Sequence, residues 1–141
     1  MQSLKTKSGY ILRLIRGEEI ISTLKDFIKD KKIKGGFLVG LGAGKEITLG
    51  FYDADKKTYH KRFFPDDHEY TSLVGNTSYL DDEPIIHIHA VISAENFVSY
   101  SGHLFSGKVS ATCEIFISLL DKKLIRKADP TVGLNLIQLE N

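Results

Sequence analysis

Alternation of apolar and polar side chains with a period of two constrains the fold of this chain more than any other feature. It is clearest in residues 108–120, KVSATCEIFISLL. Successive side chains of a β-strand point to opposite faces, so this pattern predicts a strand with one buried face. Cys113 belongs to the apolar set and Glu114 to the polar set. The apolar set is Val109, Ala111, Cys113, Ile115, Ile117 and Leu119.

Residues 17–34, GEEIISTLKDFIKDKKIK, have a helical period instead. Their apolar residues recur three and four positions apart and make one stripe. Glu18 and Glu19 at the start and lysines near the end suit the helix dipole. Gly35 and Gly36 then end the pattern. We predict a helix over about residues 18–33. The stripe consists of Ile20, Ile21, Leu24, Phe27 and Ile28.

The other apolar segments predict further strands. Two of them form a predicted hairpin around Gly42 to Gly44, and a short strand around Leu104 is bracketed by Gly102 and Gly107. The fold class is therefore α+β, a largely antiparallel sheet or flattened barrel covered by one main helix. The predicted strands are residues 10–16, 37–44, 45–53, 59–64, 69–80, 83–93, 108–120 and 134–140, besides the short one.

Size and charge limit the classes of protein to which the chain can belong. Its 141 residues predict one domain, residues 1–141. Nineteen basic residues against 18 acidic ones give a net charge of +1, so no overall field attracts nucleic acid or a membrane. No apolar run approaches the ~20 residues of a membrane helix, and the N-terminus lacks a secretory signal pattern. We expect a cytoplasmic protein with no membrane partner.

Two histidines interrupt the apolar strand EPIIHIHAVIS, residues 83–93. His87 and His89 are two positions apart and therefore share one face of that strand. His103 follows Gly102, and the intervening chain is long enough to return an adjacent strand to the same point. Three neutral imidazoles with an open fourth position are typical of a catalytic zinc site. Zinc or another divalent ion is thus the expected cofactor, and its binding should fade as pH falls through ~6.5.

Alternative interpretations of these and other polar residues stay open. The three histidines could instead form hydrogen bonds at a sheet surface or a subunit interface. Arg13, between apolar neighbours, could hold a carboxylate or phosphate, although a surface role is commoner. Glu114 could accept a hydrogen bond from a metal-bound imidazole, or be solvated. His60 and His68 lie in polar stretches, and we expect both to be exposed.

Several ordered segments resemble the PPC (plants and prokaryotes conserved) domain family, from about Tyr10 to Leu119. Arg13 precedes RGEEI and the helix. The other matching segments are GGFLVGLGAGKEITLGFYD, EYTSLVGNTSYLDDEP, HIHAVIS and GHLFSGKVSATCEIFI. Each segment is a weak signal alone, but five in the family's order are fairly specific.

The resemblance implies an α/β fold around antiparallel strands, a homotrimer, and metal binding by His87, His89 and His103. Plant members of this family are fused to AT-hook motifs that bind A·T-rich DNA. This sequence has no Arg-Gly-Arg-Pro core, and Asp66-Asp67-His68 stands before Glu69 where the plant proteins have Gly-Arg-Phe. Both departures weaken the inference that this chain binds DNA as the plant proteins do.

Three hypotheses about function follow from these observations. The first is a homotrimeric DNA-binding or regulatory module with a three-histidine metal site. The second is a small metal-dependent enzyme or ligand sensor with an open zinc site at a subunit interface, where Glu69 or Glu114 could act as a base. The third is a structural trimer whose histidines are interface hydrogen-bonders. The sequence does not decide whether the protein is an enzyme, and its charge predicts weak DNA binding.

Overall fold

The computed structural model of the protein describes residues 1–139. Within them the chain forms nine β-strands and one α-helix. The predicted last strand, residues 134–140, therefore extends one residue outside the described part. In chain order the elements are β1 (Gln2–Lys5), β2 (Gly9–Ile15), α1 (Ile20–Asp30), β3 (Gly36–Asp53), β4 (Thr58–Phe64), β5 (His68–Leu80), β6 (Glu83–Ser93), β7 (Ser99–Leu119), β8 (Arg126–Asp129) and β9 (Leu134–Ile137).

Seven strands form one antiparallel sheet in the order β1-β2-β7-β6-β5-β3-β4. β3 also pairs with β7, from Gly36 opposite Leu119 to Gly50 opposite His103. Because of this second pairing the sheet folds back on itself into a flattened shape, but it is not a closed barrel. β8 and β9 form a separate two-stranded sheet. The predicted α+β class, with one helix and a mainly antiparallel sheet, is confirmed.

The apolar stripe of α1 packs into the core. Glu19 caps the N-terminus, since its carboxylate accepts hydrogen bonds from the backbone N–H groups of Ile21 and Ser22. Glu18 therefore lies before the helix, which is shorter at both ends than the predicted 18–33. The buried face consists of Ile20, Leu24, Phe27 and Ile28.

The core lies between α1 and the buried faces of the strands. Cys113 is fully buried in it, as the alternation in β7 predicts. Ala111 and Leu119, which the same alternation assigns to the buried face, are exposed. Ala111 lies beside the register shift between β3 and β7, where the strict alternation is interrupted. The buried members of β7 are Leu104, Val109, Cys113, Ile115 and Ile117.

The predicted hairpin around Gly42 to Gly44 is wrong, because these glycines lie inside the continuous strand β3. The register against β7 shifts between Gly42 and Gly44, and the register against β5 shifts between Gly40 and Gly42. A Cβ on Gly42 would lie 2.4 Å from the Thr112 carbonyl oxygen, so only glycine fits this close approach of two strands. Glycine here allows an irregularity within a strand and does not mark a turn.

The short strand predicted around Leu104 is likewise part of a longer element, because β7 runs without a break from Ser99 to Leu119. Gly107 marks close packing, since a Cβ there would lie 2.1 Å from the Tyr70 hydroxyl oxygen. β1 and β8 have no predicted counterpart.

No helix among residues 1–139 combines the length and the apolar character needed to cross a membrane.

Candidate metal centre

Two neighbouring strands bring three histidines together on one face of the sheet. His87 and His89 lie in β6, and His103 in β7 is the cross-strand partner of His89. Ring centroids are 5.2 Å apart for His87 and His89, 5.2 Å for His87 and His103, and 5.7 Å for His89 and His103. Each ring offers a nitrogen, and these atoms lie within 4.8 Å of one another. We call His87, His89 and His103 the histidine cluster.

Glycine next to His103 lets β7 approach β3 closely. His103 pairs with Gly50, and a Cβ on Gly102 would lie 2.7 Å from the Gly50 carbonyl oxygen. A side chain at position 102 would therefore push the two strands apart. Gly102 thus permits the close packing of β7 on β3 next to His103.

Aromatic rings enclose one side of the cluster. The His103 ring lies 4.7 Å from the Phe105 ring and 5.3 Å from the Tyr59 ring, measured between centroids. The ammonium of Lys61 lies 3.9 Å from the centroid of Phe105. These contacts exclude water from His103 and fix its ring orientation.

An open pocket of about 520 Å³ lies beside His89. Its walls combine aromatic and aliphatic side chains with three hydroxyl groups, so it can accommodate a small organic molecule next to the cluster. The side chains lining it include Phe51, Tyr52, Ser72, Val74, Val91 and Ser101.

Arg126 of β8 reaches the cluster from the other sheet and is 9% exposed. Its Nη2 lies 3.2 Å from Nδ1 of His87 and donates to Oδ1 of Asn76 at 2.9 Å. Its Nε donates to the Ser78 hydroxyl at 2.7 Å, and its Nη1 donates to the Asn135 carbonyl at 2.8 Å. The guanidinium is therefore held in a fixed position against His87.

Burial keeps two of the three imidazoles neutral. Desolvation is the main cause that lowers the pKa of His87 from 6.5 to about 4, and the positive charges of Arg126, His103 and His89 contribute further. The pKa of His103 also falls to about 4, first through desolvation and then through His89, Lys61 and Arg126. Both rings are thus unprotonated at neutral pH, as metal ligands must be.

The donor set of the cluster fits a divalent transition metal ion. Neutral imidazole nitrogens suit zinc, and three of them leave a coordination position for water or a ligand. Within residues 1–139, Nδ1 of His103 is buried and lacks a hydrogen-bond partner. A buried polar atom without a partner is costly, and a bound ion is one partner that would satisfy it.

The other polar residues singled out in the sequence lie away from the cluster. Arg13 and Glu114 are cross-strand partners in β2 and β7, and Arg13 donates to Oε1 of Gln2 at 2.6 Å. Glu114 is eleven residues beyond His103 along the extended strand β7, so the two lie far apart in one chain. Glu69 pairs with Ser93, towards the opposite end of β6 from His87.

The other two histidines, His60 and His68, were both expected to be exposed, and only His60 is. His60 is exposed, as predicted. His68 is buried, because its ring packs edge-on against Phe64 and its Nδ1 lies 2.9 Å from the Asp66 carbonyl oxygen. The local turn at residues 65–67 satisfies the imidazole, and the polar sequence around it does not reveal this burial.

Sequence reasoning missed Arg126, which contacts His87. The residue lies in the short strand β8, where no periodic pattern marks a buried face. It reaches the cluster because the backbone N–H of Tyr79 donates to the Leu124 carbonyl at 2.8 Å, which joins this segment to the end of β5. Only the tertiary fold reveals this contact.

Comparison with known proteins gives a family match. The model of the Plants and Prokaryotes Conserved (PCC) domain, another abbreviation for the PPC domain, matches residues 1–121. No curated protein matches the chain. β8 and β9, and with them Arg126, lie beyond the matched residues.

Solved structures resemble the chain over nearly its full length. A putative DNA-binding protein from Ralstonia eutropha JMP134 has a TM-score of 0.92 and 28% identity, covering 98% of this chain and 96% of that one. A PPC protein from Pyrococcus horikoshii has a TM-score of 0.87 and 30% identity, with 99% and 96% covered. A metal-containing protein from Archaeoglobus fulgidus has a TM-score of 0.86 and 30% identity, with 99% and 100% covered.

Proposed function

Because the chain belongs to the Plants and Prokaryotes Conserved domain family, we propose that it is a homotrimeric, regulatory binding module of this family that holds one divalent ion on the histidine cluster. Zinc is the proposed ion, with a water molecule or a ligand completing its shell. The proposed location is the cytoplasm, a reducing compartment in which the free, buried Cys113 would stay reduced.

The convergence of three imidazole nitrogens within 4.8 Å is the observation that carries the metal proposal. The lowered pKa values of His87 and His103 support it, because the rings need no deprotonation before an ion binds. A similar protein from Archaeoglobus fulgidus is described as metal-containing. A zinc ion with an open position would polarise a bound ligand or lower the pKa of a bound water molecule.

Zinc should stabilise the folded protein, because the unfolded chain does not hold the three imidazoles together. At a hundredfold excess over the dissociation constant the expected gain in the free energy of unfolding is about 2.7 kcal/mol. The measurement is thermal melting at about pH 7.5 of chelator-treated protein, with and without added zinc. His87→Ala and His103→Ala should each abolish the zinc-dependent shift in melting temperature and leave the fold intact.

His60→Ala is the matched control for these variants, because His60 is an exposed imidazole outside the cluster. It should keep the full zinc-dependent shift. Elemental analysis of protein purified without an affinity tag would identify the resident ion. Absence of a zinc effect on the wild type, or its persistence in the cluster variants, would contradict the metal proposal.

A trimer is proposed on the resemblance to the family and on an exposed apolar face. Neighbouring strands β3 and β7 present this face, where Val39 is opposite Phe116 and Leu41 is opposite Glu114. Phe37 is 51% exposed and Leu41 is 53% exposed in the single chain. Apolar side chains clustered on one sheet face favour burial against another copy of the chain.

Residues 1–141 are proposed to act as one domain. The strand pair β8–β9 lies beyond the family match, yet Arg126 binds Ser78 and Asn76 of β5. These hydrogen bonds tie the C-terminal strands to the main sheet.

Contact with DNA is proposed to be weak and independent of sequence. Similar proteins from Ralstonia eutropha and Bacteroides thetaiotaomicron are described as putative DNA-binding proteins. Binding to duplex DNA requires clustered basic residues, with a salt slope of roughly −0.9 per phosphate contact. The densest basic run here is partly neutralised, because Lys29 pairs with Glu83 and Lys31 with Asp30. The run comprises Lys29, Lys31, Lys32 and Lys34.

An electrophoretic mobility shift assay on random-sequence duplexes would test this expectation. Binding should be detectable only at low salt and should not depend on the sequence. Nanomolar affinity at physiological ionic strength would refute it and favour a dedicated DNA-binding role.

The alternative function is a ligand sensor or small metal-dependent enzyme. The pocket of about 520 Å³ beside His89 supports this alternative, because a molecule bound there could reach the open position of the ion. Glu69 and Glu114, the two candidate bases, lie outside the cluster within one chain. Either could serve only if another subunit brought it close, so the binding role has the stronger support.

A further inference from the structure

Arg126 is placed beside His87 by a part of the chain that the family model does not match. The match ends at residue 121, whereas Arg126 begins β8. Two backbone hydrogen bonds hold this segment, from Tyr79 N–H to the Leu124 carbonyl and from Gln138 N–H to the Ile125 carbonyl. The position of the guanidinium is thus a property of the C-terminal strand pair.

The hydrogen bond between Arg126 and His87 fixes where the imidazole carries its proton. A guanidinium has N–H donors only and no acceptor. Nδ1 of His87, 3.2 Å from Nη2 of Arg126, must therefore be the acceptor. In a neutral imidazole the single ring proton is then on Nε2.

This protonation pattern leaves His87 without a free lone pair for a metal ion. The lone pair on Nδ1 accepts from Arg126, and Nε2 carries the proton. Binding an ion through Nε2 moves the ring proton to Nδ1. Nδ1–H and the N–H of Arg126 are then two donors that face each other without an acceptor between them. Binding through Nδ1 replaces the hydrogen bond directly. In both cases no proton leaves the ring, and the contact between Arg126 and His87 must break.

The positive charge of Arg126 also opposes metal binding. Among the residues that the structure describes, no carboxylate forms an ion pair with Arg126. The cluster itself consists only of histidines. A divalent ion would therefore lie close to a buried positive charge that no side chain neutralises, and the two cations repel each other.

We propose that Arg126 competes with the metal ion for His87, so that the strand pair β8–β9 controls metal loading of the histidine cluster. This inference rests on the proposed metal-binding function. In the metal-free protein Arg126 holds His87 in the form that cannot bind an ion. When the ion binds, Arg126 keeps its bonds to Ser78, Asn76 and Asn135 and gives up only His87.

Zinc affinity of variants at position 126 tests the competition. Arg126→Met keeps the aliphatic stem and removes both the charge and the donors, so it should bind zinc roughly tenfold more tightly than the wild type by competition titration against a chelating dye. Arg126→Lys keeps the charge without the planar fork and should give an intermediate affinity. Arg16→Met, the matched control, removes an exposed arginine directly after β2 and should bind zinc as the wild type does.

The protonation pattern can be measured in the wild type without any substitution. Long-range ¹H–¹⁵N NMR spectra of the metal-free protein should show His87 with its proton on Nε2, and in Arg126→Met this preference should be lost. A proton on Nδ1 of His87 in the metal-free wild type would overturn the proposal. This readout does not depend on metal binding or on the stability of a variant.

The two proposals fail in different ways. If neither the wild type nor Arg126→Met binds zinc, the metal-binding function itself is wrong, and the competition is wrong with it. If the wild type binds zinc but Arg126→Met, folded by circular dichroism, binds it equally or less tightly, the metal site stands and the competition is refuted.

Discussion

At the scale of single residues, His87 and His103 show what burial does to an imidazole. Burial and the proximity of Arg126 disfavour the protonated rings and lower both pKa values to about 4, and Tyr59 and Phe105 enclose His103. Protons therefore compete with a metal ion for these two rings only in more acidic solution. For His87 and His103 the limit near pH 6.5 that unperturbed histidines suggest moves towards pH 4.

The metal-free protein should lose stability as the pH falls from 6.5 to about 4. Unfolded histidines protonate near 6.5, whereas folded His87 and His103 protonate near 4. The unfolded state thus holds more protons in this interval, so the free energy of unfolding rises with pH there and decreases on acidification. Urea unfolding at a series of pH values, with chelator present, measures the slope.

Replacing both residues, as His87→Gln with His103→Gln, isolates their contribution to this pH dependence. The variant should show a flatter slope between pH 6.5 and about 4. Carboxylates such as Glu83, whose pKa is lowered by Lys29, act in more acidic solution and remain in both proteins. An unchanged slope would show that the two imidazoles are not buried in neutral form.

The histidine cluster was predictable at this scale, whereas Arg126 and the burial of His68 were not. The period of two places His87 and His89 on one face wherever the strand lies, and the spacing to His103 suits the return of a neighbouring strand. Arg126 meets His87 only through the docking of a separate strand pair. Such contacts depend on tertiary structure, which no local pattern of side chains encodes.

At the scale of elements, the predicted strand boundaries were wrong at glycines. The helix and the alternating part of β7 were predictable, because their apolar residues follow a simple period. Gly42 and Gly107 indicated turns or strand ends, but each lies inside a long strand. A glycine chosen for a turn and one chosen for close backbone contact look alike in sequence. The structure distinguishes the two uses, because Gly42 contacts the partner strand β7 and Gly107 contacts the ring of Tyr70.

At the scale of the whole molecule, the sheet has one face that the single chain does not cover. α1 and the core occupy the other face. The uncovered apolar side chains include Ile15, Val39 and Phe116, which are 49%, 42% and 44% exposed. Arg13 and Glu114 lie opposite each other between neighbouring strands, next to these residues. This mixture of apolar and paired polar groups is typical of a subunit interface.

A charge placed in the centre of this face should dissociate the oligomer. Val39 pairs with Phe116 on one side and Val74 on the other, so Val39→Glu would bury a carboxylate between subunits. Light scattering at micromolar concentration should report a trimer for the wild type and a monomer for the variant. Phe63→Glu, at a 59% exposed position on the edge strand β4, is the control and should stay trimeric. A monomeric wild type would contradict the trimer.

The pairing of β3 with β7 also determines the order in which the chain can fold. Gly36 lies opposite Leu119, and Tyr10 of β2 lies opposite Ile117, so strands from the first third of the chain find their partners near its end. Contacts between residues so distant in sequence form slowly, because a large loop must close before any pairing energy is gained. During synthesis β2 and β3 emerge long before β7, and their unpaired edges stay open to other chains until it arrives.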